Sequence, residues 1–85
     1  MLPENKEVIF QKLKKIISEQ LNINKKLLLK ETNFIKDLKA DSLDIVEVFM
    51  AVEDIFKFKI LDVDAKKLET IQDLIDYIYQ KKKSI

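Results

Sequence analysis

Ser42 directly follows Asp41 and precedes Asp44 by two residues in the run "KADSLDIVE". A hydroxyl beside carboxylates becomes a nucleophile only if a base takes its proton, and the commonest base is missing, because the chain contains no His. Asp41 or Asp44 would have to shed water to serve, so Ser42 must be activated by another protein. What its position favours is negative charge. Ser42 opens the stretch "SLDIVEVFMAVEDIF", and a helix start offers unpaired N–H groups and partial positive potential that suit an attached phosphate. Taken alone, "DSLD" is also a good capping sequence, and local chemistry leaves both readings open.

Composition narrows the field. With no Cys, disulfides and thiolate metal sites are impossible, and with no His the commonest transition-metal ligand is absent as well. No Gly is present to build a phosphate-cradling loop, and no Arg to supply a planar fork for phosphate. Catalysis by this chain alone and nucleotide binding are both disfavoured, and no metal site is expected. At 85 residues the chain (1–85) reads as a single small domain, its core spanning about residues 4–80. No apolar run of about eighteen residues exists to span a bilayer, and the polar start "MLPENKE" lacks the apolar segment of a secretion signal. The expectation is a soluble, intracellular protein without membrane insertion.

The net charge of +1 conceals an asymmetry. Residues 1–39 carry nine Lys and five acids, residues 57–85 seven Lys and five acids, whereas residues 40–56 carry five acids and no Lys. The central segment is therefore an acidic island in a lysine-rich chain.

The periodicity predicts helices around it. Over residues 4–21, Ile9, Leu13, Ile16, Ile17 and Leu21 recur at three- and four-residue spacings. Pro3 suits the start, and Asn22 suits a left-handed stop. A long connection over residues 23–40 follows, with Leu28, Phe34, Ile35 and Leu38 as its anchors. A second helix over residues 42–56, capped by Asp41, has two faces. Ile45, Val48, Phe49, Val52, Ile55 and Phe56 form the core side; Leu43, Val46, Glu47, Met50 and Asp54 form the other. Three large apolar residues on an acidic face suit a partner with basic and apolar groups. A short helical turn is expected over residues 62–68. A last helix follows Thr70, with Asp73 completing a pattern close to a capping box, Ile71, Leu74, Ile75 and Ile78 as its stripe and "QKKK" at its end. "FKFKI" alternates too briefly for a sheet. The expected fold class is all-α, a four-helix bundle of three longer helices and one short helix with a long loop between helices one and two.

"DLKADSLDIVEVFMAVEDIF" resembles the signature of acyl carrier proteins, in which a D-S-L triplet opens the second helix of a four-helix bundle. "LKKIISEQLNI", "TNFIKDL" and "TIQDLIDYI" resemble the family's first helix, long loop and last helix, so the likeness covers residues 8–78. It implies that Ser42 carries a covalent 4′-phosphopantetheine, placed there from coenzyme A by a separate phosphopantetheinyl transferase (holo-carrier synthase) with Mg²⁺. Cysteine-free, the chain would then acquire its working thiol from the cofactor. Acyl groups would ride on that thiol as thioesters to fatty acid synthesis enzymes. By the same resemblance Asp41, Asp44, Glu47, Glu53 and Asp54 present carboxylates to basic docking patches on those enzymes, with Leu43, Val46 and Met50 as apolar contacts. Ile45, Val52, Ala65, Leu68 and Leu74 would line an acyl cavity, although each is also an ordinary core position. The resemblance further implies a monomer, in the bacterial cytoplasm or in an organelle matrix after loss of a transit peptide.

Three departures stand out. Lys39 occupies a place usually held by Gly, Leu61 one often held by Pro, and Lys66 with Lys67 a region typically richer in acid. Steering by charge should therefore be weaker than in a uniformly acidic carrier and confined to the second helix. A carrier of amino-acyl or polyketide cargo, and an unmodified helical adaptor, remain open as alternatives. Nucleic-acid binding is not expected, because the helix that would read DNA is the acidic one.

Overall fold

The stripe of Ile9, Leu13, Ile16 and Ile17 becomes the buried face of the first helix, and the rest of the chain is arranged around it. The computed structural model describes residues 5–83. It contains α1 (Lys6–Leu21), α2 (Ser42–Phe56), the four-residue α3 (Asp62–Ala65) and α4 (Ile71–Lys83), with a single 3₁₀ turn at Lys25–Leu27 in the long connection. α1 packs against both α2 and α4. The expected all-α architecture, three longer helices and one short one, is the one observed, and no strand occurs among the described residues beyond an isolated bridge between Asn33 and Thr70.

Local chemistry explains both ends of α1 and the start of α4. α1 begins at Lys6 because the side chain of Asn5 accepts a hydrogen bond from the Val8 N–H at 2.8 Å. The cap is thus Asn5, while Pro3 and Glu4, expected at this start, lie outside the described residues. Asn22 ends the helix in the left-handed region (φ 56°, ψ 49°), its N–H returning to the Ser18 carbonyl. α3 is shorter than the expected 62–68, ending at Ala65. α4 starts with the expected reciprocal cap: Thr70 Oγ1 accepts from the Asp73 N–H at 3.1 Å, and Asp73 Oδ2 accepts from the Thr70 N–H at 3.1 Å. Ile71, Leu74, Ile75 and Ile78 are all fully buried beneath it.

The long connection is held rather than loose. Leu28 and Phe34 are buried in the core as expected, and Leu38 packs partly against it. Ile35 does not: it is 63% exposed, because Phe34 already occupies the inward position of a tight turn. Three backbone bonds tie this segment to the start of α4: Phe34 N–H to Glu69, Ile71 N–H to Thr32 and Gln72 N–H to Lys30. Ile55, placed by the helical wheel on the core side of α2, is 52% exposed. It lies at the angular margin of the stripe, about 70° from its centre at 100° per residue, whereas Val48, Phe49, Val52 and Phe56 are buried as expected.

Two latches close the bundle. The Lys82 ammonium donates to the Phe56 carbonyl at 3.0 Å, so the basic end of α4 satisfies the last turn of α2. The Tyr77 phenol donates to Asp64 Oδ2 at 2.8 Å and joins α4 to α3. Burial, and then that bond, push its pKa above the ordinary 10.0.

A glycine-free chain must still make left-handed turns. Asn22, Lys39 and Lys57 all have positive φ, and Lys39 (φ 56°) sits three residues before Ser42. A side chain with a Cβ is strained there. Lys39→Gly should stabilise the protein by about 0.5–1 kcal/mol, part of the relief being offset by the freer unfolded chain. Urea titration would show this as a higher midpoint at unchanged slope; an unchanged or lower midpoint would mean the backbone carries no such strain.

Candidate functional site

The start of α2 is fixed from both sides. Asp41 is extended (φ −90°, ψ 179°), and its Oδ1 accepts from the Asp44 N–H at 2.9 Å, while Asp44 Oδ2 accepts from the Asp41 N–H at 3.2 Å. Two of the orphan donors of the helix start are satisfied in this way. Ser42 is the first residue of α2, exposed, and its hydroxyl has no hydrogen-bond partner among the described residues. Capping therefore falls to Asp41, and the Ser42 hydroxyl is left free.

The chain arriving at this point is anchored. Buried Ala40 donates its N–H to the Phe34 carbonyl at 3.0 Å, and Lys39 donates to that of Ile35 at 3.2 Å. Phe34 in turn meets Phe49 of α2 edge to face, the ring centroids 6.2 Å apart. The loop is thus joined to α2 both at the approach to Ser42 and two turns further along the helix.

Beside Ser42 opens a largely apolar cavity of about 570 Å³. The loop contributes Asn33, Phe34, Ile35 and Lys36; α2 contributes Ser42, Ile45, Val46 and Phe49; and the α3 side contributes Ala65, Lys66, Leu68 and Glu69. Of the five residues expected around an acyl cavity, Ile45, Ala65 and Leu68 line this space together with Ser42. Val52 and Leu74 do not; both lie in the closed core with no exposed surface. Phe34 and Phe49 were legible only as core residues and Val46 only as a surface residue, yet all three border the cavity. Spacing could have found Val46, which lies one helical turn beyond Ser42.

The outer face of α2 combines apolar and acidic groups. Leu43, Val46 and Met50 are 66%, 51% and 59% exposed, far more than apolar side chains of a closed core. Glu47 and Asp54 are exposed and have no side-chain partner among the described residues. The other carboxylates have structural tasks as well. Asp41 and Asp44 cap the helix, and Glu53 Oε2 accepts from the Ile60 N–H at 2.7 Å, holding the segment after α2 against the helix end.

No group of three or more potential acidic metal ligands is assembled among the described residues, and no helix there is long and apolar enough to cross a membrane. The geometry instead supports attachment. An unengaged hydroxyl stands at the positive end of a helix, beside an apolar space, under a face of free carboxylates.

The family model described as a phosphopantetheine attachment site matches residues 11–78. A protein named acyl carrier protein from Buchnera aphidicola subsp. Schizaphis graminum is 53% identical over 73 residues, covering 86% of this chain and 92% of the relative. Another of that name, from Guillardia theta, is 46% identical over 77 residues, covering 91% and 95% respectively.

If Asp41 is the cap, Asp41→Ala should lower stability by about 1 kcal/mol while Asp41→Asn loses only a fraction of that, since Asn caps comparably. Equal losses in urea unfolding would deny the cap its role.

Proposed function

Since the chain belongs to the acyl carrier protein family, whose cofactor is 4′-phosphopantetheine, we propose that Ser42 is the residue that receives the arm and that α2 presents it to partner enzymes. The carrying observation is the division of labour at the helix start: Asp41 and Asp44 cap each other, and the Ser42 hydroxyl is free and exposed. In the transfer, the Ser42 oxygen attacks the pantetheine-side phosphorus of coenzyme A. The bond to the bridging oxygen breaks and the adenosine bisphosphate half leaves. The serine proton passes to a base on the transferase, because this chain has no His to take it.

The arm, once bound, supplies the thiol on which acyl groups are carried as thioesters. The chain's own residues position it. The positive end of α2, which begins at Ser42, would favour the charge of a phosphate attached there. The cavity bounded by Ile45, Ala65 and Leu68 is the apolar space nearest Ser42 and supports the reading that part of the cargo shelters there. Glu47 and Asp54 with Leu43, Val46 and Met50 form the docking face for basic patches on the transferase and on fatty acid synthesis enzymes. Asp41, Asp44 and Glu53 add charge to that face while serving the fold. On this reading the chain is a single monomeric carrier domain that performs no catalysis itself, in the cytoplasm or an organelle matrix.

Incubation with coenzyme A, Mg²⁺ and a promiscuous phosphopantetheinyl transferase should add one arm to the wild-type protein and none to Ser42→Ala, as read by intact mass. Equal modification of both proteins would overturn the assignment. Glu47→Lys with Asp54→Lys should slow arm transfer at low salt by about tenfold, an effect expressed in KM and shrinking as salt rises. A transfer rate indifferent to this charge reversal would remove the docking role.

A further inference from the structure

Two lysines share the lining of the cavity beside Ser42. Lys36 comes from the long loop and Lys66 from the residue after α3, and both line the cavity that Ser42 lines. The segments that bear them are fixed: the Lys36 N–H donates to Asn33 Oδ1 at 2.9 Å, and the Lys66 N–H returns to the Asp62 carbonyl at 3.4 Å. Neither ammonium has an ion-pair or hydrogen-bond partner among the described residues. Elsewhere lysines do find partners: Lys6 pairs with Asp76 at 3.0 Å, and Lys82 bonds the Phe56 carbonyl. The one acid on the cavity lining, Glu69, engages neither Lys36 nor Lys66.

Resting on the assignment of Ser42 as the attachment point, we propose that Lys36 and Lys66 hold the phosphodiester of the arm between them. They are positioning residues that keep the arm beside the cavity. A phosphodiester on Ser42 carries one fixed negative charge directly at the helix start, and the cavity that Ser42 lines has two unpaired cations on its lining, one from the long loop and one from the α3 side. Each contact is exposed and modest alone, and salt weakens it. Acting with the N–H groups of α2, the pair supplies the countercharge that the acidic face of this helix lacks.

The test compares unmodified and phosphopantetheine-bearing full-length protein by thermal unfolding. Attachment should raise the wild-type Tm by about 3 °C at low salt. Most of that rise should vanish at about 1 M salt, where the screening length is about 3 Å. In the Lys36→Glu, Lys66→Glu double variant attachment should instead lower Tm, whereas Lys36→Arg, Lys66→Arg should keep the rise. Lys25→Glu, Lys26→Glu, altered away from the cavity, should also keep it. Circular dichroism of the unmodified forms checks that the variants fold. The same Tm change in wild-type and Lys36→Glu, Lys66→Glu protein would overturn the inference while leaving Ser42 as the attachment residue. Absence of any mass gain on wild-type protein would overturn that assignment itself, and the inference with it.

Discussion

The reciprocal bonds between Asp41 and Asp44 govern what the start of α2 can do. Helix N-termini need acceptors for their first N–H groups, and Ser is among the residues that commonly supply one. Here the residue before Ser42 takes that duty and the residue two beyond it returns the favour, so the hydroxyl between them is released from structural work. The loop bonds from Ala40 and Lys39, and the Phe34–Phe49 contact below, hold the released hydroxyl at one place on the surface. Strained backbone at Lys39 is part of the same arrangement, since the chain has no glycine with which to make that turn.

Charge is partitioned around this point in a way the net value of +1 hides. α2 is acidic and partly apolar outward, the composition of a surface that meets basic partners. The cavity that Ser42 lines also bears Lys36 and Lys66. On the proposed reading the acidic helix attracts a basic enzyme while the two lysines retain an anionic arm. Only residues 40–56 carry acids without lysines, five of them, while the flanking segments carry more lysines than acids, so the uncompensated negative charge is local and its long-range field is weak.

Much of the fold was readable because its signals are local. Asp41 and the Thr70–Asp73 pair each announced a helix boundary through a side chain that satisfies nearby backbone, and Asn22 through its tolerance of the left-handed conformation; the structure shows each in that role. Fully buried stripes were equally plain: Ile9, Leu13 and Ile17 on α1, and Ile71, Leu74, Ile75 and Ile78 on α4. What escaped depends on where neighbouring elements stop. Ile55 shares the periodicity of the core face yet lies at its margin in the last turn, and Ile35 adjoins an inward Phe34 and so turns toward the cavity. The cavity was only half legible for the same reason. Its walls combine a loop, one helical turn of α2 and the α3 region, and spacing along a single helix cannot say that Ala65 and Leu68 face Ser42 while Val52 and Leu74 close away from it. The outer face of α2, by contrast, lies on one helix, and the wheel alone separated Leu43, Val46, Glu47, Met50 and Asp54 as a surface; all five are exposed.

Tandem mass spectrometry of the protein taken from its native host, with the modified side chain located by fragmentation, bears most directly on this account. It predicts phosphopantetheine, with or without an acyl group, on Ser42 and on neither of the other serines, Ser18 and Ser84. A Ser42 that is bare throughout the native population, or an arm found on a different side chain, would contradict the claim that the capping arrangement exists to leave this hydroxyl free.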